Sequence, residues 1–250
     1  RLIKRYLKGG IIKDFAYEDT EEGSGQGSVC SPILANIYMH YILVWWFEEC
    51  IVPKLKGYGG LVVYADDFVV CFQYKEEAEL FYELLKKRMK IFGLEMEESK
   101  TRLIEFGRMA EQNRKARGER KPETFEFLGF THYCSKSRRG WFRVKRKTSK
   151  KKFAKKCREL SQTMRAMRTW RLTDIFRKTN QILIGYYHYY GITDNGKSLQ
   201  RMKRKVENLL FYWLNHRSQK RSYNWDGFLE LLKAFPLAKP KIYVNIYQTG

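Results

Sequence analysis

Several features that would assign a chain to a familiar class are scarce or missing from these 250 residues. The five cysteines form no CxxC pair and the four histidines show no ligand spacing, so we expect reduced thiols and no zinc site. No signal peptide is visible. The apolar run at 27–47 is interrupted by Pro32, Asn36 and His40, so it predicts a buried helix and no membrane span. With 44% apolar residues, the chain is also not expected to be disordered.

Acidic residues are scarce in one half of the chain. Residues 1–120 carry 19 Lys+Arg and 19 Asp+Glu, whereas residues 121–250 carry 30 Lys+Arg and 8 Asp+Glu. The second half therefore accounts for the whole net charge of +22. A surface that is merely well solvated would mix both signs. The asymmetry predicts that the second half binds a polyanion, with nucleic acid favoured over an acidic membrane surface.

The first part of the chain mixes helical and strand patterns. Ser31-Pro32 is typical of a helix start, and the helix is predicted to run to about Glu49. Turn residues at 57–60 then precede two apolar runs, which predict strands. The stripe of the first helix that is predicted to face the core consists of Ile33, Ile37, Tyr41 and Val44.

The second part of the chain changes from strands to helices. Residues 125–133 and 141–144 have the pattern of the two strands of a hairpin. From Ser149 to about Leu214 the pattern is helical, and many of the cations fall on the faces away from the apolar stripe. We therefore place a boundary near 145–150, between a mixed α/β half and a basic helical half.

The two apolar runs, 61–64 and 68–72, flank Ala65-Asp66-Asp67, which is typical of a β-hairpin with two adjacent carboxylates at its tip. Adjacent carboxylates repel each other, and a divalent cation relieves the repulsion. Hard oxygen ligands suit Mg²⁺, with Mn²⁺ as an alternative ion. An ordinary Asp-rich turn is the competing interpretation. The apolar flanks and the basic second half favour a functional site.

Phosphoryl transfer with two metal ions requires carboxylates from more than one strand. Asp66 and Asp67 supply one pair, so a further carboxylate is needed. Asp14 and Asp19 are poor candidates because they lie in a polar, acidic stretch with no buried strand to hold them.

The tetrapeptide Tyr64-Ala65-Asp66-Asp67 resembles the catalytic motif of reverse transcriptases. Residues 25–38, GQGSVCSPILANIY, are similar to the preceding motif of group II intron reverse transcriptases and their bacterial relatives. The resemblance extends over essentially the whole chain. Its further parts are a palm motif at 93–101, the primer grip at 127–130, and the maturase-specific or thumb sequences at 185–190 and 225–228.

The resemblance implies an α+β fold with two parts. Residues 1–148 would form a polymerase palm, an antiparallel sheet with packed helices that includes the primer grip. Residues 149–250 would form an α-helical thumb or maturase domain. The implied activity is RNA-directed DNA synthesis of the group II intron type, through two-metal nucleotidyl transfer, with intron RNA binding and splicing. The alternative is a non-catalytic RNA-binding maturase module in which the hairpin is a relic.

The resemblance also implies roles for single residues. Asp66 and Asp67 would be catalytic ligands of Mg²⁺, and Asp66 is the surer of the two. Lys100 would protonate the pyrophosphate leaving group, although an exposed lysine after a turn is the alternative. Tyr64 would line the substrate site, or else belong to the core. The expected substrate-binding residues are Gly25, Gln26, Gly27, Tyr64 and Ala65, and the expected primer grip is Phe127, Leu128, Gly129 and Phe130.

The expected partners follow from the same resemblance and from the charge. They are a template or intron RNA, a DNA or RNA primer and a dNTP, and no membrane is expected. The expected location is the bacterial cytoplasm, in association with the nucleoid or a ribonucleoprotein. The fingers and the first catalytic aspartate would precede Arg1, on the same or on a separate polypeptide, so the 250 residues alone are expected to lack polymerase activity. The expected nucleic-acid ligands are Arg143, Lys145, Arg146, Lys147, Lys150, Lys151, Lys152, Lys155 and Lys156.

The charge partition generates the first testable prediction. We expect RNA affinity to reside in residues 121–250 and to fall steeply with salt, by about 0.7 log units per log unit of salt for each phosphate bound on a single strand. Replacing the five lysines of 150–156 with Gln should flatten this slope and weaken binding to unrelated RNAs by similar factors. Filter binding at several salt concentrations measures both. An unchanged slope in a variant that is folded by circular dichroism would contradict the prediction.

Overall fold

The computed structural model describes residues 11–13, 16–18, 30–219 and 222–247. Its mixture of helices and antiparallel strands confirms the expected α+β class. The predicted substrate-loop residues Gly25, Gln26 and Gly27 lie outside the described residues, as do Asp14 and Asp19. No helix among the described residues is both long enough and apolar enough to cross a membrane.

The chain divides into two compact units, residues 1–103 and residues 104–250. The boundary predicted at 148–149 lies inside the second unit, between its last strand and the helix that follows. That boundary therefore differs from the division into compact units, and it stays a prediction about domains.

In its described residues, the first unit has two antiparallel hairpins and two long helical segments. Its helical residues 31–51 form one continuous segment that includes two π-helical stretches. The elements are β1 (Ile11–Lys13), β2 (Ala16–Glu18), α1 (Ser31–Met39), the π-helical stretches His40–Val44 and Phe47–Ile51, a 3₁₀ turn (Val52–Lys54), β3 (Gly59–Tyr64), β4 (Asp67–Phe72) and α2 (Lys75–Ile91).

The core of the first unit lies between the long helical segment, α2 and the β3–β4 hairpin. Its buried members include Phe47, Phe81 and Leu85. The predicted stripe of α1 is wrong, because Ile33, Ile37 and Tyr41 are exposed, and the buried residues are instead Ile42, Leu43, Trp46, Phe47 and Ile51. Ile33 and Ile37 lie in α1, which has no buried residue, and burial begins only after α1, in the segment that contains the two π-helical stretches.

The second unit combines one small sheet with four long helices. Its three strands are antiparallel in the order β5-β6-β7. The elements are α3 (Ala110–Ala116), β5 (Phe125–Phe127), β6 (Phe130–Lys136), β7 (Phe142–Thr148), α4 (Lys150–Ala166), α5 (Leu172–Tyr190), α6 (Gly196–Leu214) and α7 (Trp225–Ala234).

The expectation of one strand over 125–133 is wrong, because a two-residue turn divides it into β5 and β6. Leu128 and Gly129 form this turn with φ angles of 49° and 76°. Two successive positive φ angles are typical of the tight hairpin turns that match the twist of the flanking strands. The residues resembling the primer grip are therefore the tip of a hairpin.

Apolar stripes of α4, α5, α6 and α7 meet in a single core. Leu183, Leu199, Met202 and Val206 are almost completely buried there. In α6 the buried residues Leu199, Met202, Val206 and Leu210 follow the helical period, and this confirms the helical pattern predicted for this segment.

One buried polar side chain ties the sheet to these helices. The amide of Asn195, which is fully buried, accepts a hydrogen bond from the backbone N–H of Thr148 at 2.8 Å. It also donates to the Thr148 hydroxyl at 2.9 Å and to the Tyr190 carbonyl at 2.8 Å. Asn195 thus joins the end of β7, the end of α5 and the start of α6.

Removal of this amide should destabilise the second unit. Asn195→Ala would leave the buried N–H of Thr148 without its partner and would remove one of the two hydrogen bonds that the Tyr190 carbonyl accepts, which costs about 1–3 kcal/mol of unfolding free energy. Urea denaturation followed by far-UV circular dichroism measures this loss. The matched control is Asn113→Ala, which removes an exposed amide and should change stability by less than about 0.5 kcal/mol. Equal stability of the two variants would contradict the role of Asn195.

Candidate functional site

The carboxylates of Asp66 and Asp67 lie at the tip of the β3–β4 hairpin. Tyr64 pairs with Asp67 as the last pair of the register, so Ala65 and Asp66 form a two-residue turn. Ala65 has a φ of 52°, which is uncommon for a residue other than glycine. Both aspartates are exposed to solvent.

The two strands of the hairpin pack against the core of the first unit through one face only. The pairs Leu61–Val70 and Val63–Phe68 share a face that packs on the core of the first unit. The alternation of strand side chains then places Asp67 on the opposite face, together with Tyr64. Tyr64 is 63% exposed, which favours the site over the core for this residue. Apolar burial therefore fixes the base of the hairpin and leaves its acidic tip open.

Lys100 lies within electrostatic range of this tip. Its ammonium group donates a hydrogen bond to a Glu97 carboxylate oxygen at 2.5 Å. This bond and the charge of Glu97 raise the pKa of Lys100, and the charges of Asp67 and Asp66 raise it further. Ser99 donates to the other oxygen of Glu97 at 2.6 Å, and together with Lys100 it lowers the pKa of that carboxyl. The ion pair with Glu97 therefore stabilises the protonated form of Lys100.

Sequence reasoning missed Glu97. The signal was available, because an acidic residue three positions before a lysine is a common ion-pair spacing. The structure shows that this residue, and not the aspartates, is the nearest partner of the Lys100 ammonium group.

The aspartate pair matches the ligand chemistry of Mg²⁺. This ion is usually bound through one or two carboxylates together with water and substrate phosphates. Among the described residues, no group of three or more His, Cys, Asp or Glu side chains is close enough to form a complete metal site. Asp66 and Asp67 therefore fit the protein's share of such a site, with the remaining positions left to other donors.

The Leu128–Gly129 turn, whose sequence resembles a primer grip, is held by residues at the ends of two helices. The backbone N–H of Ser149, just before α4, donates to the Gly129 carbonyl at 2.9 Å. The Tyr189 hydroxyl donates to the Leu128 carbonyl at 3.1 Å. The ring of Phe130 stacks on Tyr189, with centroids 6.1 Å apart. A side chain at Gly129 would meet the Tyr190 hydroxyl at 3.0 Å, so glycine is required both by space and by its φ of 76°.

The strand register sorts the predicted cations of β7 between two faces. Tyr133 pairs with Lys145, and the alternation places Arg143, Lys145 and Lys147 on the same face. The Lys147 ammonium lies 5.2 Å from the centre of the Tyr133 ring. Arg146 lies on the other face, opposite His132, where burial first and then the charge of Arg146 lower the pKa of the histidine.

The predicted lysines of α4 lie at the start of that helix. Lys150, Lys151 and Lys152 occupy its first turn and are exposed. Lys155 is also exposed, whereas Lys156 pairs with Glu159 at 3.3 Å. Cations at a helix N-terminus repel the positive end of the helix dipole, so this arrangement is stabilised when an anion is present.

Comparisons with known proteins cover most of the chain. The family model for reverse transcriptase (RNA-dependent DNA polymerase) matches residues 2–132, and the model for the group II intron maturase-specific domain matches residues 150–227. The group II intron-encoded protein LtrA of Lactococcus lactis subsp. cremoris is 26% identical over 121 residues, which are 44% of this chain and 20% of LtrA. LtrA of strain MG1363 gives the same values. The match thus spans about a fifth of the length of these relatives.

The electrostatics of Lys100 give a prediction that titration can test. Glu97→Gln should lower the pKa of Lys100 towards its ordinary value, because the hydrogen bond and charge of Glu97 are the largest causes of the shift. Asp66→Asn should lower it by a smaller amount. The measurement is an NMR titration of lysine side-chain signals, with Lys100→Arg used to assign the resonance. A larger effect from Asp66→Asn than from Glu97→Gln would contradict this order.

Proposed function

We propose that this protein, which belongs to the reverse transcriptase (RNA-dependent DNA polymerase) family, copies RNA into DNA. We also propose that it binds intron RNA as a group II maturase. The polymerase part of the proposal is supported by the open acidic tip of the β3–β4 hairpin, which lies within the region that the reverse transcriptase model matches. The observation that carries the maturase part is the match to the maturase-specific domain, which begins at residue 150. We also propose the division at 148–149 between a palm and a thumb.

At the hairpin tip, Asp66 and Asp67 would hold Mg²⁺, or Mn²⁺ in its place. Bound ions of this kind would supply stabilisation of the charge that develops on the attacking and leaving oxygens. The aspartates themselves orient the site, because the register fixes Asp67 on the open face and the left-handed turn fixes Asp66 beside it. Tyr64 and Ala65 would line the substrate position, and the predicted Gly25, Gln26 and Gly27 would contact the incoming nucleotide.

Lys100 would act on the leaving group. In the reaction the primer 3′-hydroxyl forms a bond to the α-phosphate, loses its proton to water, and the bond to pyrophosphate breaks. Lys100 carries a proton at neutral pH and lies within electrostatic range of Asp66 and Asp67, so it can donate that proton to the pyrophosphate oxygen. Glu97 would be a positioning residue, because it holds the ammonium group without touching the substrate.

The second unit would hold the nucleic acid. The turn at Leu128 and Gly129, with Phe127 and Phe130 on either side, would contact the primer. The exposed cations of β7 and α4 would bind RNA phosphates in a largely sequence-independent way. These residues belong to the basic half of the chain, which supports the assignment.

A second candidate function is a non-catalytic RNA-binding maturase module. It is favoured by the finding that the described residues bring no third carboxylate to Asp66 and Asp67. The first candidate therefore requires a further aspartate, from residues outside the described ranges or from another polypeptide segment. Both candidates place the protein with RNA, and we propose a ribonucleoprotein or the nucleoid in the bacterial cytoplasm as its location.

Substitution of Asp66 distinguishes the two candidates. In the intact protein, Asp66→Ala should reduce primer extension on an RNA template to background, because one ligand of the metal site is removed, and should leave RNA affinity within about twofold. The matched control is Asp226→Ala, another exposed aspartate, which should retain synthesis. Wild-type protein that binds RNA but shows no Mg²⁺-dependent extension would support the non-catalytic module. Full synthesis by Asp66→Ala would contradict the assigned role.

A further inference from the structure

A cleft of about 660 Å³ lies beside the β6–β7 hairpin in the second unit. One side comes from the turn of the hairpin and from the basic face of β7, and the other comes from the start of α6. Its lining residues are Tyr133, Ser137, Arg138, Arg139, Trp141, Arg143, Lys145, Asp194 and Lys197.

The cleft is strongly positive and its cations are not neutralised. Five of its lining residues are Lys or Arg and one is Asp, a net charge of +4. None of the five forms an ion pair with a carboxylate in the part of the chain that the structure describes. The single carboxylate, Asp194, instead accepts a hydrogen bond from the Tyr247 hydroxyl at 2.6 Å. Unpaired cations that converge on a cleft indicate an anionic ligand.

One of the cations that line the cleft, Arg143, is positioned by contacts within the protein. The guanidinium group of Arg143 lies 4.0 Å from the centre of the Tyr247 ring. Tyr247 is fixed in turn by its bond to Asp194, and burial and that bond raise its pKa. The chain Asp194–Tyr247–Arg143 therefore orients one cation without cancelling its charge. A preorganised group loses less entropy when it binds.

Trp141 also lines the cleft and provides a different kind of contact. Its backbone is fixed, since the Trp141 carbonyl accepts from the Ser137 N–H at 2.7 Å and its own N–H donates to the Ser137 hydroxyl at 3.2 Å. Its side chain is 69% exposed, and its ring contacts no other aromatic ring among the described residues. An exposed indole on a rigid turn is a platform on which a flat group can stack.

We propose that this cleft binds an unpaired segment of RNA, with a base stacked on Trp141 and the adjoining phosphates held by the surrounding cations. The inference rests on the proposed RNA-binding function. It adds the cleft as a binding site and single-stranded RNA as the form that is bound. Stacking between bases in a duplex leaves their faces covered, whereas a single strand can offer a base to an aromatic side chain. The combination of a cationic cleft and one exposed indole therefore fits a single strand better than a double helix.

The direct experiment compares two RNAs with the full 250-residue chain. Fluorescence anisotropy measures the affinity for a labelled 12-nucleotide single strand and for a blunt 12-base-pair duplex. Trp141→Ala should weaken binding of the single strand at least about fivefold, as expected for the loss of one stacked base, and should change duplex binding less than twofold. Trp141→Phe should restore most of the affinity, because a flat ring is kept.

A matched control and a charge variant complete the design. Trp170→Ala removes another exposed tryptophan of the same unit, outside the cleft, and should leave both affinities unchanged. Replacement of Arg138 and Arg139 with Gln should reduce the salt slope for the single strand by about 0.7 for each phosphate that is no longer neutralised, whereas Trp141→Ala should leave that slope unchanged.

The outcomes separate this inference from the function on which it rests. Wild-type RNA binding that is unaffected by Trp141→Ala, or weakened equally for duplex and single strand, would overturn the inference and leave RNA binding intact. Absence of RNA binding by the wild type would overturn both. Competition by a poly-glutamate peptide that disappears in Trp141→Ala would assign the cleft to an acidic protein partner and would also overturn the inference.

Discussion

The strand register of two short hairpins is the constraint on which the candidate sites depend. In each hairpin a two-residue turn sets which residues lie opposite one another, and a shift of one residue would move every side chain to the other face. In β3–β4 the turn at Ala65 and Asp66 leaves Asp67 on the open face. In β5–β6 the turn at Leu128 and Gly129 makes the primer-grip sequence a hairpin tip. Left-handed backbone at both turns ties this register to the residues that occupy them.

A second constraint is the repulsion among the cations of the second unit. Lys150, Lys151 and Lys152 lie at the positive end of the α4 dipole, and the cleft beside β6–β7 gathers five more cations. Arrangements of this kind cost free energy in the absence of an anion, because like charges are held together in the folded state. The packed helical core and the Asn195 network supply the stability that offsets this cost. The same core thereby presents a surface that RNA would stabilise further.

The sequence predicted much of the fold and part of the sites. The β3–β4 hairpin with its acidic tip and the helices between residue 149 and about residue 214 followed from local spacing, because hydrophobic period and turn residues are properties of short segments. The α+β class followed from the family resemblance. The buried face of the first helical segment did not follow, because it begins only after α1 and depends on packing against α2 and the β3–β4 hairpin. The division of residues 125–133 was also not predicted, because Leu128-Gly129 lies inside a segment whose aromatic residues favour a strand on both sides. The contacts of Tyr189 and Tyr190 with the primer-grip turn could not be predicted, because they join positions about sixty residues apart.

The sequence by itself determined where the charge lies along the chain, which residues can bind a hard cation, and the resemblance that connects the motifs to reverse transcriptases. Those properties depend on composition and on the order of neighbouring residues. Tertiary structure decided which cations share a surface: it separated Arg146 from Arg143 and Lys145, and it brought Lys197 and Asp194 to the β6–β7 turn. It also decided that Glu97 holds Lys100 and that Trp141 stays exposed. The reason is that faces and clefts arise from strand pairing and helix packing, which bring together residues that no local pattern connects.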